Sequence, residues 1–227
     1  MKYPILLFDA DDTLFDFFRT AEKCFTETSE IFGLPSSREN YELYLKINQK
    51  YWDMYSEGKI KKEEIITGRF KEYGEEIGIT FDIPSFARIY SKKLSETSVL
   101  FPETVNALTD LKRLGAEMYL ITNGISEVQR GRLKLSGLEN FFKGVFISDE
   151  IGAAKPTREF FDAVSKRIKD FDKKKTLIIG DSPLSDITLG YENGVDTCLV
   201  KKRPKKSVSV PHTYEINDLN ELIEIVK

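Results

Sequence analysis

The sequence predicts an α/β protein: a doubly wound parallel sheet with an all-helical domain of four-helix-bundle type inserted after its first strand. Three observations predict it. From Val99 onward, short runs that are apolar throughout alternate with helical segments, the pattern of strands covered on both faces by crossover helices. Residues 16–98 carry helical periodicity alone. The first apolar run, Ile5-Leu6-Leu7-Phe8, has the texture of the later half, so the helical stretch interrupts the α/β core instead of preceding it. The expected boundaries are a core of 1–15 and 99–227 and a helical cap of 16–98.

Taken in order, the first run ends abruptly in Asp9, then Asp11, Asp12 and Thr13, within FDADDTLFD. Carboxylates crowded at a strand end are costly unless a cation or a proton intervenes. An oxygen-only set asks for a hard divalent ion, Mg²⁺ above others. The competing reading is an acidic turn in which Asp12 or Thr13 caps a helix. Four helices follow. Their apolar positions recur at helical spacing: Phe18, Ala21, Phe25, Phe32; then Tyr41, Tyr44, Tyr51, Trp52, Tyr55; then Ile66, Phe70, Tyr73, Ile77; then Phe86, Ile89, Tyr90, Leu94. Gly33-Leu34-Pro35, Gly58, and Gly78 with Pro84 separate them. Hinges are expected near Phe15–Phe17 and Ser98–Phe101.

Beyond the second hinge the strands are Met118–Ile121, Val145–Ile147, Leu177–Ile179 and Thr197–Val200. Helices start near Glu103, Ser126, Thr157 and Leu184, and a last helix buries Leu219, Leu222, Ile223 and Val226. The basic run Lys201-Lys202-Arg203-Pro204-Lys205-Lys206 reads as a solvated loop, with phosphate contact as the alternative.

Composition narrows the classes. The 227 residues are 41% hydrophobic, enough for a real core, and the net charge of −3 offers no global attraction to a nucleic acid polymer or an anionic membrane. The N-terminus does not read as a signal peptide, and no apolar run approaches the roughly 20 residues of a membrane span. Cys24 and Cys198 lie in unrelated segments, so a disulfide framework is not expected and a cytoplasmic location is. His212 is the only histidine, which excludes a His pair; its Pro-His-Thr setting suggests a surface or strand-end residue.

Ligands of parallel α/β sheets gather beyond the C-terminal strand ends. Those ends read Asp9; Thr122-Asn123-Gly124; and Gly180-Asp181-Ser182, with Asp186 following. Between the last two lies Gly152-Ala153-Ala154-Lys155-Pro156. Carboxylates, hydroxyl and amide donors, and one placed cation suit a phosphoryl group. Each piece also has a structural reading. Asn-Gly is a turn dipeptide, Lys-Pro opens surface helices, and Asp181 or Asp186 could cap a helix. Their joint occurrence at strand ends, in this order, is what the structural readings do not account for.

These four segments resemble, in order, the motifs of the haloacid-dehalogenase-like (HAD) superfamily: DADDT, Thr122, Lys155 and GDSPLSD. The resemblance spans the whole chain and implies a Rossmann-like core with a helical C1 cap. The stretch from Asn48 through Gly58 to Gly68-Arg69-Phe70, with FDADDTLFD and LITNG, is similar to YjjG-type pyrimidine 5′-nucleotidases. The resemblance implies a phosphoric monoester hydrolase. Asp9 would be the nucleophile that becomes an aspartyl-phosphate. Asp11 would protonate the leaving alkoxide and then activate water. Mg²⁺, with Mn²⁺ as a substitute, would be held by the Asp9 carboxylate, the Asp11 backbone carbonyl and Asp181, supported by Asp186. Thr122, the Asn123 amide and Lys155 would bind the phosphoryl group.

Asp11 separates phosphate chemistry from dehalogenation, since a halide leaving group needs no acid. The cap is expected to choose the substrate. Asn48 and Arg69 interrupt apolar stripes and, with Phe17 or Phe18 at the hinge, would contact a sugar or base; their structural reading is a satisfied core Asn and a snorkelling Arg. The expected substrate is a nucleoside 5′-monophosphate. Alternatives are a phosphatase for phosphoglycolate or sugar phosphates, a phosphosugar mutase, and, from another class, a phospho-receiver or non-catalytic phosphate-binding regulator. Monomer and homodimer are left open.

Overall fold

The computed structural model describes residues 1–203 and 210–227. Along the chain, β1 (Ile5–Phe8) is followed by four helices, α1 (Phe17–Ile31), α2 (Arg38–Ser56), α3 (Lys62–Ile77) and α4 (Ile83–Ser95). Then come α5 (Thr104–Arg113), β2 (Glu117–Thr122), α6 (Ser126–Ser136), β3 (Gly144–Ile147), α7 (Ser148–Ile151) and α8 (Arg158–Ser165). The chain closes with β4 (Thr176–Gly180), α9 (Thr188–Asn193), β5 (Asp196–Val200), β6 (Tyr214–Ile216) and α10 (Leu222–Val226). Two compact units result, Met1–Phe17 with Ser98–Lys227, and Phe18–Thr97.

In the first unit the six strands pair in the order β3-β2-β1-β4-β5-β6, all parallel. Successive strand residues point to opposite faces, and both faces are apolar. Leu6, Phe8, Met118, Leu120, Leu177 and Ile179 join Leu108 and Leu111 of α5, Leu133 of α6 and Leu222 of α10. Ile5, Leu7, Tyr119, Ile121 and Ile178 join Phe160, Phe161 and Val164 of α8 and Leu189 of α9. That two-sided burial explains why these runs are apolar without alternation. Strand β1 lies between β2 and β4, where the order of winding reverses. A crevice at the C-terminal strand ends is the consequence.

The structure adds to the sequence reading at several places. Strand β6 was not expected: three residues with one fully buried side chain, Ile216, carry too little pattern to register. His212 lies exposed just before it, with Nε2 3.3 Å from Glu215. The helix expected from Leu184 begins at Thr188, because Pro183–Ile187 forms a wider π-helical turn. The helical unit starts two residues later and ends one residue earlier than expected, because the two connecting segments pair with each other. Phe15 bridges Leu100, the Asp16 amide donates to the Val99 carbonyl at 2.9 Å, and the Phe101 amide to Leu14 at 3.2 Å.

The described part of the basic run is ion-paired: Lys201 with Glu215 at 2.9 Å, Lys202 with Glu103, and Arg203 with Asp16 at 2.6 Å. Pro204, Lys205 and Lys206 of that run lie outside the described residues. Glu103, beside Pro102 at the hinge exit, thus has a structural partner.

The second unit is held by aromatic packing. Phe25 of α1 stacks on Tyr44 of α2 at 4.7 Å, and Tyr44 stacks on Phe70 of α3 at 5.5 Å. Phe86 and Tyr90 of α4 close the cluster at 4.9 and 5.3 Å from Phe70. Ser37 caps α2, and Asp82 caps α4 with Pro84 inside its first turn, a position where the missing proline N–H costs nothing. Gly78 ends α3 at φ 69°, the left-handed region that favours glycine. On α3, Phe70 and Tyr73 are buried as expected, whereas Ile66 and Ile77 are only half-buried and Ile65 and Arg69 are buried with them. Among the described residues no helix is long and apolar enough to cross a membrane.

Candidate active site

Asp9 is the first residue past β1, and its amide donates to the Ile179 carbonyl of β4 at 2.8 Å. Thr122 ends β2, and its Oγ1 accepts from the Gly124 amide at 3.0 Å. Asp181 follows β4 directly, and Asp186 sits in the π-helical turn, where its Oδ2 accepts from the Ser182 amide at 3.1 Å. The turn needs Gly180: a Cβ there would lie 2.3 Å from Asp186 Cγ. Lys155 comes from the loop between α7 and α8, and it is buried instead of opening a surface helix. Helix α8 starts only at Arg158, capped by Thr157.

These ends converge on one ammonium. Lys155 Nζ donates to Asp9 Oδ1 at 2.5 Å, to Asp186 Oδ1 at 2.7 Å and to the Ile121 carbonyl at 3.0 Å. Its three protons are thereby used, and three acceptors around a buried cation fix its position. Asn123 secures the loop that carries it. Its Oδ1 accepts from the Lys155 amide at 2.8 Å, and its Nδ2 donates to the Lys155 carbonyl at 2.8 Å. The Asn123 side chain is therefore spent on the Lys155 backbone.

Asp9, Asp181 and Asp186 are all buried, and one carboxylate oxygen of each lies within 4.8 Å of the others. Burial pushes the Asp9 carboxyl up, to about 7, against the pull of Lys155, and the neighbouring Asp186 adds to the rise. Burial would lower the Lys155 ammonium, but Asp186 and Asp9 more than offset it and leave it raised. An all-oxygen donor set of this kind fits a hard divalent cation.

Asp11 has partners that sequence reasoning missed. Its Oδ2 accepts from Gln129 Nε2 at 2.6 Å, and its Oδ1 pairs with Arg132 Nη1. Both donors project from one face of α6, and both are buried. A polar pair on an apolar stripe was the available signal, the same one that singled out Asn48 and Arg69. Asp12 adopts φ 56°, and its amide donates to the Phe15 carbonyl at 2.8 Å, closing the turn after the motif.

Within the helical unit, Asn48 and Arg69 meet each other: Arg69 Nη1 donates to Asn48 Oδ1 at 2.6 Å. Arg69 is 2% exposed, its guanidinium lying 4.7 Å from the Phe70 ring and 5.5 Å from that of Tyr90. Its Nε and Nη2 have no hydrogen-bond partner among the described residues. Phe18 packs edge-on against Tyr41 at 5.4 Å. Phe17 belongs to the other unit and lies 5.9 Å from the Arg132 guanidinium.

Comparison with known proteins identifies relatives along the whole chain. The chain is 35% identical to YfnB of Bacillus subtilis over 99% of this chain and 96% of that protein. It is 31% identical to the pyrimidine 5′-nucleotidase PynA of Streptococcus pneumoniae, over 99% and 95%. To the pyrimidine 5′-nucleotidase YjjG of Escherichia coli it is 29% identical, over 100% and 99%. The magnesium-bound crystal structure of YfnB superposes with a TM-score of 0.93, covering 100% of this chain and 99% of that one. The L-2-haloacid dehalogenase of Xanthobacter autotrophicus shares the fold at a TM-score of 0.78 and 14% identity, covering 99% of this chain and 98% of that one. Residues 6–200 match the haloacid dehalogenase-like hydrolases as a family. With Thr122, Asp9 and Asp181 at the ends of the adjacent strands β2, β1 and β4, and Lys155 reaching in from the loop before α8, the chain belongs to that family.

Proposed function

We propose that this protein hydrolyses nucleoside 5′-monophosphates, pyrimidine ones first, through a phosphorylated Asp9. The observation that carries the reading is Asp9 itself: a buried carboxylate gripped at one oxygen by Lys155, within a cluster suited to a divalent cation. Whole-length similarity to two pyrimidine 5′-nucleotidases supports the substrate class.

Asp9 attacks phosphorus and the alkoxide leaves, taking a proton from Asp11. Asp11, now a carboxylate, takes a proton from water, and the hydroxide releases phosphate from Asp9. Thr122 Oγ1 and the Asn123 main-chain amide hold phosphoryl oxygens, and Lys155 offsets the charge gathered between Asp9 and the phosphate. Mg²⁺, with Mn²⁺ as a substitute, would be held by Asp9, the Asp11 carbonyl and Asp181, with Asp186 in support. The donor set fits a divalent ion: Asp9, Asp181 and Asp186 are buried and each brings a carboxylate oxygen within 4.8 Å of the others. When bound, the ion reduces repulsion between an anionic nucleophile and an anionic phosphate.

Substrate choice falls to Asn48, Arg69, Phe17 and Phe18. The two unpartnered nitrogens of a buried Arg69 support a polar contact to a base or sugar, because such groups are costly unless a ligand or water meets them. The half-buried rings of Phe17 and Phe18 offer stacking surface. Two buried cysteines, Cys24 and Cys198, in segments that share no disulfide, fit a cytoplasmic setting.

Phosphate release with Mg²⁺ across nucleoside monophosphates, phosphoglycolate and sugar phosphates tests the reading, with Asp9→Asn as control. Highest kcat/KM is expected for pyrimidine monophosphates. Turnover confined to phosphoglycolate or sugar phosphates would overturn the nucleotide assignment. Bisphosphate-dependent isomerisation without phosphate release would indicate a mutase. A stable phospho-Asp9 without turnover would indicate a receiver.

A further inference from the structure

We propose that Gln129 and Arg132 are positioning residues for Asp11, holding its carboxylate from behind so that its open side can pass a proton to and from the substrate. The inference rests on the phosphatase reading and adds two residues to it.

Four observations carry it. The two donors take different oxygens of one carboxylate, Gln129 Nε2 at Oδ2 and Arg132 at Oδ1, which fixes both the position and the plane of the group. They lie three residues apart on α6, and so on one face of a helix that begins just beyond Thr122 at the end of β2. The helix therefore ties the aim of Asp11 to the strand end that offers Thr122. Burial is one-sided: the Arg132 side chain is 0% exposed, whereas the Asp11 side chain is 30% exposed. The donors thus reach Asp11 from the protein interior and leave its other side open. Finally, the approach has been cleared. A Cβ on Gly124 would lie 2.2 Å from Gln129 Nε2, so glycine is required for Gln129 to cross to Asp11.

The lone pairs allow the grip and the chemistry together. An ionised carboxylate has about four acceptor sites, of which Gln129 and Arg132 use two. A site remains on each oxygen for the transferred proton. Arg132 is itself steadied by the turn that Asp11 begins. Its guanidinium lies 4.3 Å from the Phe15 ring, and Phe15 pairs with Asp11 through the backbone. A surface ion pair would show none of this convergence.

Because kcat/KM reports steps up to departure of the alcohol, before Asp11 activates water, a misaimed Asp11 lowers it only for esters that need a proton at departure. The alkoxide of a nucleotide does; p-nitrophenolate does not. The test compares kcat/KM for UMP and for p-nitrophenyl phosphate in the Mg²⁺-loaded enzyme, in wild type, Arg132→Lys and Gln129→Met. The expected result is a loss of about 10-fold or more for UMP with p-nitrophenyl phosphate within about 3-fold of wild type, a share of the 10²–10⁴ that a general acid contributes. Gln129→Met keeps side-chain length and supplies the answer if Arg132→Lys fails to fold, which thermal unfolding reports. An unchanged UMP to p-nitrophenyl phosphate ratio in the folded variants would overturn the positioning role while leaving the phosphatase reading intact. Absence of turnover of either ester by wild type would instead overturn the phosphatase reading.

Discussion

In the α/β unit the buried ammonium of Lys155 meets two carboxylates, whereas in the helical unit the buried guanidinium of Arg69 meets one neutral amide. Both cations are almost fully enclosed. The first is matched by charge and uses all three of its donors, so it is locked. The second sits among aromatic faces and keeps two donors in hand. These two cations are therefore enclosed in opposite ways. A charge balanced inside the protein is suited to fixed chemistry, because breaking one partner leaves an uncompensated charge. A charge without a carboxylate is suited to a changeable partner that arrives from outside.

The largest effect is expected at Asp9. Asp9→Asn should cost about 10⁴-fold or more in kcat while keeping the fold, since it removes a nucleophile and not a packing group. Steady-state phosphate release and thermal unfolding check both halves. Lys155→Met comes next. It leaves Asp9 and Asp186 facing each other, and should lower kcat by about 10²–10³ and stability by about 3–5 kcal/mol. Chemical denaturation measures the second figure, and added Mg²⁺ should restore part of it, because an ion that binds only the folded state stabilises it.

Gly180→Ala should lower stability by about 1–3 kcal/mol through overpacking against Asp186, with a parallel fall in kcat. Arg69→Met is the sharpest probe of the comparison. Stability should change by less than about 1.5 kcal/mol, as for a volume-conserving swap, while nucleotide KM rises about 10-fold. A stability loss equal to that of Lys155→Met, with KM unchanged, would break the contrast and return Arg69 to a structural role. Ser37→Ala should cost only about 1 kcal/mol, by removing the cap of α2, and leave kcat unchanged.

Much of the core was legible because burial on both faces leaves an unmistakable apolar run, and because each run ends in a residue with a distinct chemistry. Asp9, Thr122 and Asp181 could be placed from strand ends alone. Strand β6 was not legible, since Tyr214-Glu215-Ile216 is too short to show a period. The π-helical turn at Pro183–Ile187 carries the same pattern as ordinary helix, because its spacing depends on how Asp186 folds back over Gly180. The α3 stripe departs from its periodicity at Ile66 and Ile77, while Phe70 and Tyr73 keep to it. Periodicity favours Ile66, whereas the packing of α3 buries Ile65 and turns Arg69 inward.

By itself the sequence determined the class of fold, the insertion of four helices after β1, and the residues that line the strand ends. Only the tertiary structure decided the partners. It spends the Asn123 side chain on the Lys155 backbone, joins Lys155 to Asp9 and Asp186, turns Gln129 and Arg132 onto Asp11, and pairs Asn48 with Arg69. The physical reason is that hydrophobic periodicity marks which face of an element is buried. A buried polar group on that face must still find its donor or acceptor, and that partner can lie more than a hundred residues away, as Asp11 does from Arg132.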